Sequence, residues 1–115
     1  MSTTLSMVRG RTAVWTFTIT DKVTGLPVNL TGVTVINFTT RTSYEAVSPL
    51  FQKTVGAGVE ISDPTHGKAR VTVDPTDTTG LTNGYSSLVW DLEVDTPLFT
   101  PDELRGRLVV MPSVG

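Results

Sequence analysis

Apolar and polar residues alternate along this chain in short bursts, separated by clusters of Gly, Pro, Asp, Asn and Thr. The clearest burst runs from Thr12 to Thr20, with Ala13, Trp15, Phe17 and Ile19 on one side and Val14, Thr16, Thr18 and Thr20 on the other. A period of two sustained over that length predicts a half-buried β-strand. The same period predicts strands over Lys68–Asp74, with Ala69, Val71 and Val73 inward, and over Tyr85–Asp95, with Leu88, Trp90, Leu92 and Val94 inward. A last strand ends at Pro112, with Leu104, Gly106, Leu108 and Val110 on its inner face. Val33–Arg41 is apolar on both sides, which fits a strand that changes face or is covered twice. Leu50–Val55 and Val59–Ser62 flank Gly56–Gly58 and fit two short strands or a bent hairpin.

The intervals carry turn chemistry. Thr20–Gly32 is rich in turn formers, and Pro27 restricts it to a loop or a sheet edge. Ser62–Gly67 reads as a tight turn, and Thr42–Pro49 and Asp95–Glu103 as long loops. Asp74–Gly84 is the one helical signal: Asp74 suits an N-cap, Pro75 the first helical position, and Gly80 a stop. About seven or eight short strands without a long helix predict a single all-β domain over residues 1–115, a sandwich or barrel.

Composition strengthens this picture. Thr and Val dominate, and both are stiff at χ1 and pack well on a pleated surface. At 115 residues the chain is long enough for one core without staples. It has no cysteine, so neither disulfides nor thiolate chemistry enter, and a reducing cytoplasm fits. A net charge of −2 with 17% charged residues argues against a nucleic-acid partner. The first residues lack the apolar core of a secretory signal, and no apolar run approaches a membrane span, so the expectation is a soluble chain with no membrane partner.

Candidate chemistry adds little. His66 lies alone in a Pro/Gly turn, and a zinc site would need several carboxylates around it. Asp63, Asp74 and Asp77 occupy turn and cap positions, where side-chain bonds to the backbone explain them better than calcium does. Glu60, Asp91 and Glu93 sit at outward strand positions, as solubilising residues do. The Asn29–Thr31 and Asn37–Thr39 triplets match a glycosylation sequon, but the absence of a signal makes the match incidental. "GAGVEIS" lacks the Lys and the helix of a phosphate loop. Trp15 and Trp90 fall on core faces rather than presenting rings to a sugar. Neither catalytic residues, cofactor nor metal are expected.

Several segments resemble, in order, one family: the immunoglobulin-like domain at the N-terminus of the baseplate upper protein of tailed bacteriophages, also found in many small phage structural proteins. They are "MVRGRTAVWTFTITD", "GLPVNLTGVTVINF", "GVEISDPTHGKARVTVDPTDTTGL", "GYSSLVWDLEVD" and "LRGRLVVMPSV", which together span nearly the whole chain. The resemblance implies an immunoglobulin-like antiparallel β-sandwich acting as a non-enzymatic assembly module. Its place would be the virion, its partners other virion proteins, and its state a symmetric oligomer. A free-standing copy implies a tail, baseplate or tail-fibre adaptor, with a capsid decoration protein as the alternative. A carbohydrate-binding module for host glycans is a further class.

The surface for such partners is expected from two sources. Large apolar or aromatic groups in polar loops, Tyr44, Leu98 and Phe99, together with Tyr85, are candidate contacts. The other source is a repeated triplet: Arg9-Gly10-Arg11 and Arg105-Gly106-Arg107 each border an apolar strand. First and last strands of such sandwiches are commonly neighbours, so the triplets are expected side by side at one sheet edge, with Gly10 at a kink and Arg9, Arg11, Arg105 and Arg107 facing outward. The segment before Arg9 is expected to be an edge strand or an arm reaching a neighbour.

Overall fold

A computed structural model describes residues 3–81, 84 and 86–113. Among these residues eight strands form: β1 (Leu5–Val8), β2 (Ala13–Thr18), β3 (Val35–Arg41), β4 (Phe51–Val55), β5 (Gly58–Asp63), β6 (Lys68–Val73), β7 (Ser86–Asp95) and β8 (Leu104–Met111). A 3₁₀ turn spans Pro64–His66, and one helical turn, α1, spans Pro75–Thr78. Pro75 opens α1, and Asp77 accepts a hydrogen bond from the Asp74 N–H (2.8 Å), which satisfies a donor the helix leaves orphaned.

The strands hydrogen-bond in the order β1-β8-β7-β3-β4-β5-β6-β2. The sheet folds over so that β2 packs across β3 and β7. Phe17 of β2 lies 6.0 Å from Phe38 and 5.1 Å from Trp90, and Trp15 lies 5.9 Å from Phe38. These rings form the centre of a core that also buries Ile36, Val71, Val73, Leu108 and Val110. Aromatic contacts at such distances add about 0.5–1.5 kcal/mol each beyond the area they bury.

The all-β architecture is as the sequence predicts, but the pairing is mixed rather than purely antiparallel. β1 runs parallel to β8, Leu5 opposite Leu108 and Val8 opposite Met111. β4 and β5 also run parallel, because the chain makes a jog at Gly56 and Ala57 and continues in the same direction. Up to the jog the chain pairs with β3; beyond it, with β6. Two short strands therefore form here, as the sequence allows, but joined by a jog rather than a hairpin, and the jog carries the chain from one half of the sheet to the other.

Val33 is buried ahead of β3 and Val35 is exposed within it, so the two-sided pattern marks entry to the strand rather than double cover there. At the far end of β3 both Thr39 and Thr40 are buried. The Thr40 hydroxyl donates to the Phe51 carbonyl (3.2 Å), and Gln52 donates to the Thr39 hydroxyl (3.0 Å).

The two Arg-Gly-Arg triplets do not lie side by side. Thr3 N–H donates to the Arg105 carbonyl (3.0 Å), whereas Arg9 N–H donates to the Met111 carbonyl (2.9 Å). Parallel pairing puts the start of β1 against the start of β8, so the triplets stand at opposite ends of one ladder, about 20 Å of strand apart. Antiparallel pairing would instead set the end of β1 against the start of β8 and bring the triplets together, and periodicity does not reveal which direction the two strands take.

Gly10 is at the expected bend. It has a φ of 74° and links β1, on β8, to β2, on β6. A Cβ there would meet only Thr79 Cγ2, at 3.8 Å, so space is not the constraint. Gly10→Ala is therefore expected to lower stability by about 1–2 kcal/mol through the left-handed conformation alone, with Gly10→Asn milder and Gly10→Val worse. Urea denaturation of the three variants checks that order.

Candidate interaction surface

Seven of the eight residues singled out from sequence separate into three places. Arg9 and Arg11 belong to the β1–β2 turn. Arg9 is not an outward contact: its Nε donates to the Leu81 carbonyl (2.8 Å) and its Nη2 to the Thr79 carbonyl (2.7 Å), tying the turn to the segment after α1. The Thr78 hydroxyl accepts from Gly10 N–H (2.8 Å) and completes that junction. Arg11 is exposed.

Leu98 and Phe99 lie at another end, against the Asp21–Thr31 loop. The two diverge: Phe99 packs on the core, while Leu98 stays 65% exposed beside an equally exposed Leu26. The loop they face is built by short-range bonds, Asp21 Oδ1 accepting from Val23 N–H (2.7 Å) and Asn29 Oδ1 from Thr31 N–H (2.9 Å). Tyr85 lies outside the described residues.

Tyr44, Arg105 and Arg107 do come together, on the outer face of β3, β7 and β8. The Arg105 guanidinium sits 5.6 Å from the Tyr44 ring centroid. The Tyr44 hydroxyl lies within donating distance of two carbonyls, Gly106 at 3.0 Å and Trp90 at 3.2 Å, so the Thr42–Pro49 loop is clipped across β7 and β8. Arg107 donates to Ser87 Oγ (3.0 Å). Removing the hydroxyl in Tyr44→Phe is expected to destabilise by about 0.5–1.5 kcal/mol and to leave the ring stacked on Arg105; thermal denaturation and arginine side-chain NMR would read the two effects.

Two further residues belong to this face: Arg41, not singled out from sequence, and Asp91, read there as a solubilising residue. Asp91 lies opposite Arg105 across β7 and β8, and Arg41 reaches Asp91 at 3.6 Å. Burial pushes the Asp91 carboxyl above its usual range, against the opposing pull of Arg41 and Arg105. The available signal was phase: Asp91 and Arg105 both occupy outward positions of strands whose inward residues were legible. Arginines, a carboxylate and a tyrosine ring on a rigid sheet suit recognition by charge and stacking.

Elsewhere the polar clusters are structural. His66 Nδ1 lies 2.9 Å from Asp63 Oδ2 and 3.3 Å from Thr65 Oγ1. Acid and hydroxyl thus address the same ring nitrogen, so the imidazole cannot relay a proton between them. The hydrogen bond from His66 lowers the Asp63 carboxyl below its ordinary value. Among the described residues no three His, Cys, Asp or Glu side chains converge as metal ligands would, and no helix is long and apolar enough to cross a membrane. Trp90 is buried, with its Nε1 donating to the Thr3 carbonyl (3.1 Å), and Trp15 is half-buried against Phe38.

No family model matches the chain, and no curated protein does either. Among solved structures it is similar to an immunoglobulin-like domain, the NK cell receptor NKp44, described as a triggering partner in natural cytotoxicity. The superposition has a TM-score of 0.51 at 15% identity and covers 96% of this chain and 98% of that one. At that identity the likeness establishes the immunoglobulin-like fold of this chain and nothing further.

Proposed function

We propose that this chain is a non-enzymatic structural protein of a tailed bacteriophage virion, an assembly or adaptor module of the tail or baseplate. The observation that carries the reading is the ordered resemblance of its segments to the small phage immunoglobulin-like proteins. Those segments fall on the framework: "MVRGRTAVWTFTITD" contains β2 and the bend at Gly10, "GVEISDPTHGKARVTVDPTDTTGL" runs from β5 through α1, and "LRGRLVVMPSV" contains β8. The outer face around Tyr44, Arg105 and Arg107 supports it as a rigid, charged docking surface. Leu26 and Leu98 supply a separate apolar contact at a loop end.

The test is the composition and map of purified particles. This reading expects the chain in virions by mass spectrometry and its density at the tail or baseplate. Density on the head would move it to capsid decoration, and absence from particles would overturn it. Arg107→Glu is expected to reduce incorporation into particles while leaving the melting temperature within a few degrees, since Arg107 is exposed, lies opposite Val89, and exposed substitutions of this kind usually change stability by no more than about 0.5 kcal/mol.

A further inference from the structure

The two strands at the ends of the hydrogen-bonding order, β1 and β2, are also neighbours in space, joined by the short turn through Gly10. Among the described residues each is paired on one edge only, β1 to β8 and β2 to β6. Their other edges border a common groove. One hollow of about 570 Å³ is lined by Leu5 of β1 and by Val14 to Thr18 of β2, with Leu104 and Asp102 at one end. A second, of about 580 Å³, continues past Val14 and Trp15 between Met7 and the β1–β2 turn and ends at Arg11.

We infer that this groove accepts an extended, largely apolar segment of a partner protein, which adds a strand to the free edge of β2. The chemistry of the walls specifies the occupant. A strand edge offers unpaired N–H and C=O groups at strand spacing, which only another extended backbone satisfies in series. The side chains beside that edge are apolar or Thr: Val14 is 52% exposed, and Trp15 is half-buried. Charge stands only at the two ends of the groove, Arg11 where β2 begins and Asp102 beyond its end. Antiparallel pairing is the more stable kind. An antiparallel guest starts at Asp102 and finishes at Arg11, so it carries a basic residue first and an acidic residue last. The inference rests on the assembly-module reading and adds to it a site and a partner chemistry.

An acetylated and amidated octapeptide, KTVTVTVE, matches the span from Arg11 to Thr18 residue for residue and is the probe. Titration followed by amide chemical shifts is expected to move β2 and β1 resonances and to leave β4 unmoved. Swapping the peptide ends to ETVTVTVK is expected to weaken binding about tenfold, and Arg11→Glu with Asp102→Lys to reverse that preference, by the size of charge-pair effects at an interface. Of two analogues N-methylated at alternate amides, one for each peptide edge, at least one is expected to lose tenfold or more in affinity, about the worth of the hydrogen bonds removed. Absence of binding overturns the inference, as does equal binding of the parent and both methylated analogues. A concentration-dependent dimer abolished by Val14→Lys, without peptide binding, overturns it in favour of a second copy in the groove. Peptide binding by a chain absent from purified particles would remove the virion role and leave the groove standing. A chain present in particles but indifferent to the peptide would do the reverse.

Discussion

Replacing Gly106 with alanine is expected to destabilise the protein by about 2–4 kcal/mol, a large effect for one methyl group. The backbone conformation is not the reason, because Gly106 has no left-handed φ. The reason is what lies above it. A Cβ at this position overlaps the Thr3 carbonyl oxygen and stands 2.7 Å from both the Thr3 carbonyl carbon and nitrogen. Neither is the far end of a flexible side chain; both belong to the strand approach that leads into β1. Relief requires the Thr3 segment to lift away. That breaks the bond from Thr3 N–H to the Arg105 carbonyl and the bond from Trp90 Nε1 to the Thr3 carbonyl, and it loosens the burial of Leu5 and Met7. Equilibrium urea unfolding measures the loss, and amide exchange locates it in β1. A chain shortened to begin at Leu5 supplies the control. There Gly106→Ala is expected to cost little, and an undiminished cost would show that the clash with Thr3 is not the cause.

Lys53→Met is the second large effect, expected at about 2–3 kcal/mol, below the range for breaking a deeply buried ion pair because both acids keep some contact with water. Lys53 points inward from β4 with its side chain 11% exposed. Its Nζ lies 2.7 Å from Asp77, itself 17% exposed, and 3.3 Å from Asp74. Its stem fills the space over Gly58, where a Cβ would come within 2.5 Å of Lys53 Cδ. The ammonium therefore pins α1 to the jog between β4 and β5. Methionine keeps the apolar stem, so the loss isolates the charge and leaves Asp77 facing a thioether. Asp77→Asn in the same background is expected to recover part of the loss, because the pair acts as a unit.

The same lysine makes an alkaline prediction. Burial alone would lower its pKa, but the hydrogen bonds and charges of Asp77, then of Asp74, outweigh burial and hold it above the ordinary 10.5. A group bound to its proton more tightly in the folded than in the unfolded chain stabilises the fold fully below the unfolded pKa. That contribution falls away as pH rises through the folded pKa. The stability gap between wild type and Lys53→Met should thus stay constant through neutral pH and narrow above about pH 10.5. A gap that narrows on the acidic side of neutrality, with no alkaline change, would assign the stabilisation elsewhere.

Periodicity made the framework of this protein legible because one face of each long strand meets a common core. Ala69, Val71 and Val73, and likewise Leu88, Trp90, Leu92 and Val94, are buried in the alternation their spacing predicts. Asp74 and Pro75 marked α1 through local chemistry alone. Partnership between distant segments was not legible. Nothing in the alternation of Leu5–Val8 distinguishes a parallel neighbour from an antiparallel one, and that choice decides where the two Arg-Gly-Arg triplets fall. Lys53 shares the inward phase of Phe51, a visible anomaly, but its partners are twenty-odd residues away in a turn whose acids already had a local explanation. The surface followed the same division. Tyr44, Arg105 and Arg107 gather because a loop and a strand happen to cross, whereas Arg9 is absorbed by carbonyl groups that its sequence neighbourhood does not announce.

The parallel pairing of β1 with β8 has a mechanical consequence. Thr3 stands beside Arg105 where both strands begin, and Met111 stands beside Val8 and Arg9 where both end. Tension applied between the segment before Thr3 and the segment after Pro112 therefore pulls along the ladder rather than across it. Every hydrogen bond between the two strands is loaded together, and rupture requires them to fail as a group instead of unzipping singly. A link built this way resists stretching most strongly along the one axis that joins its two ends.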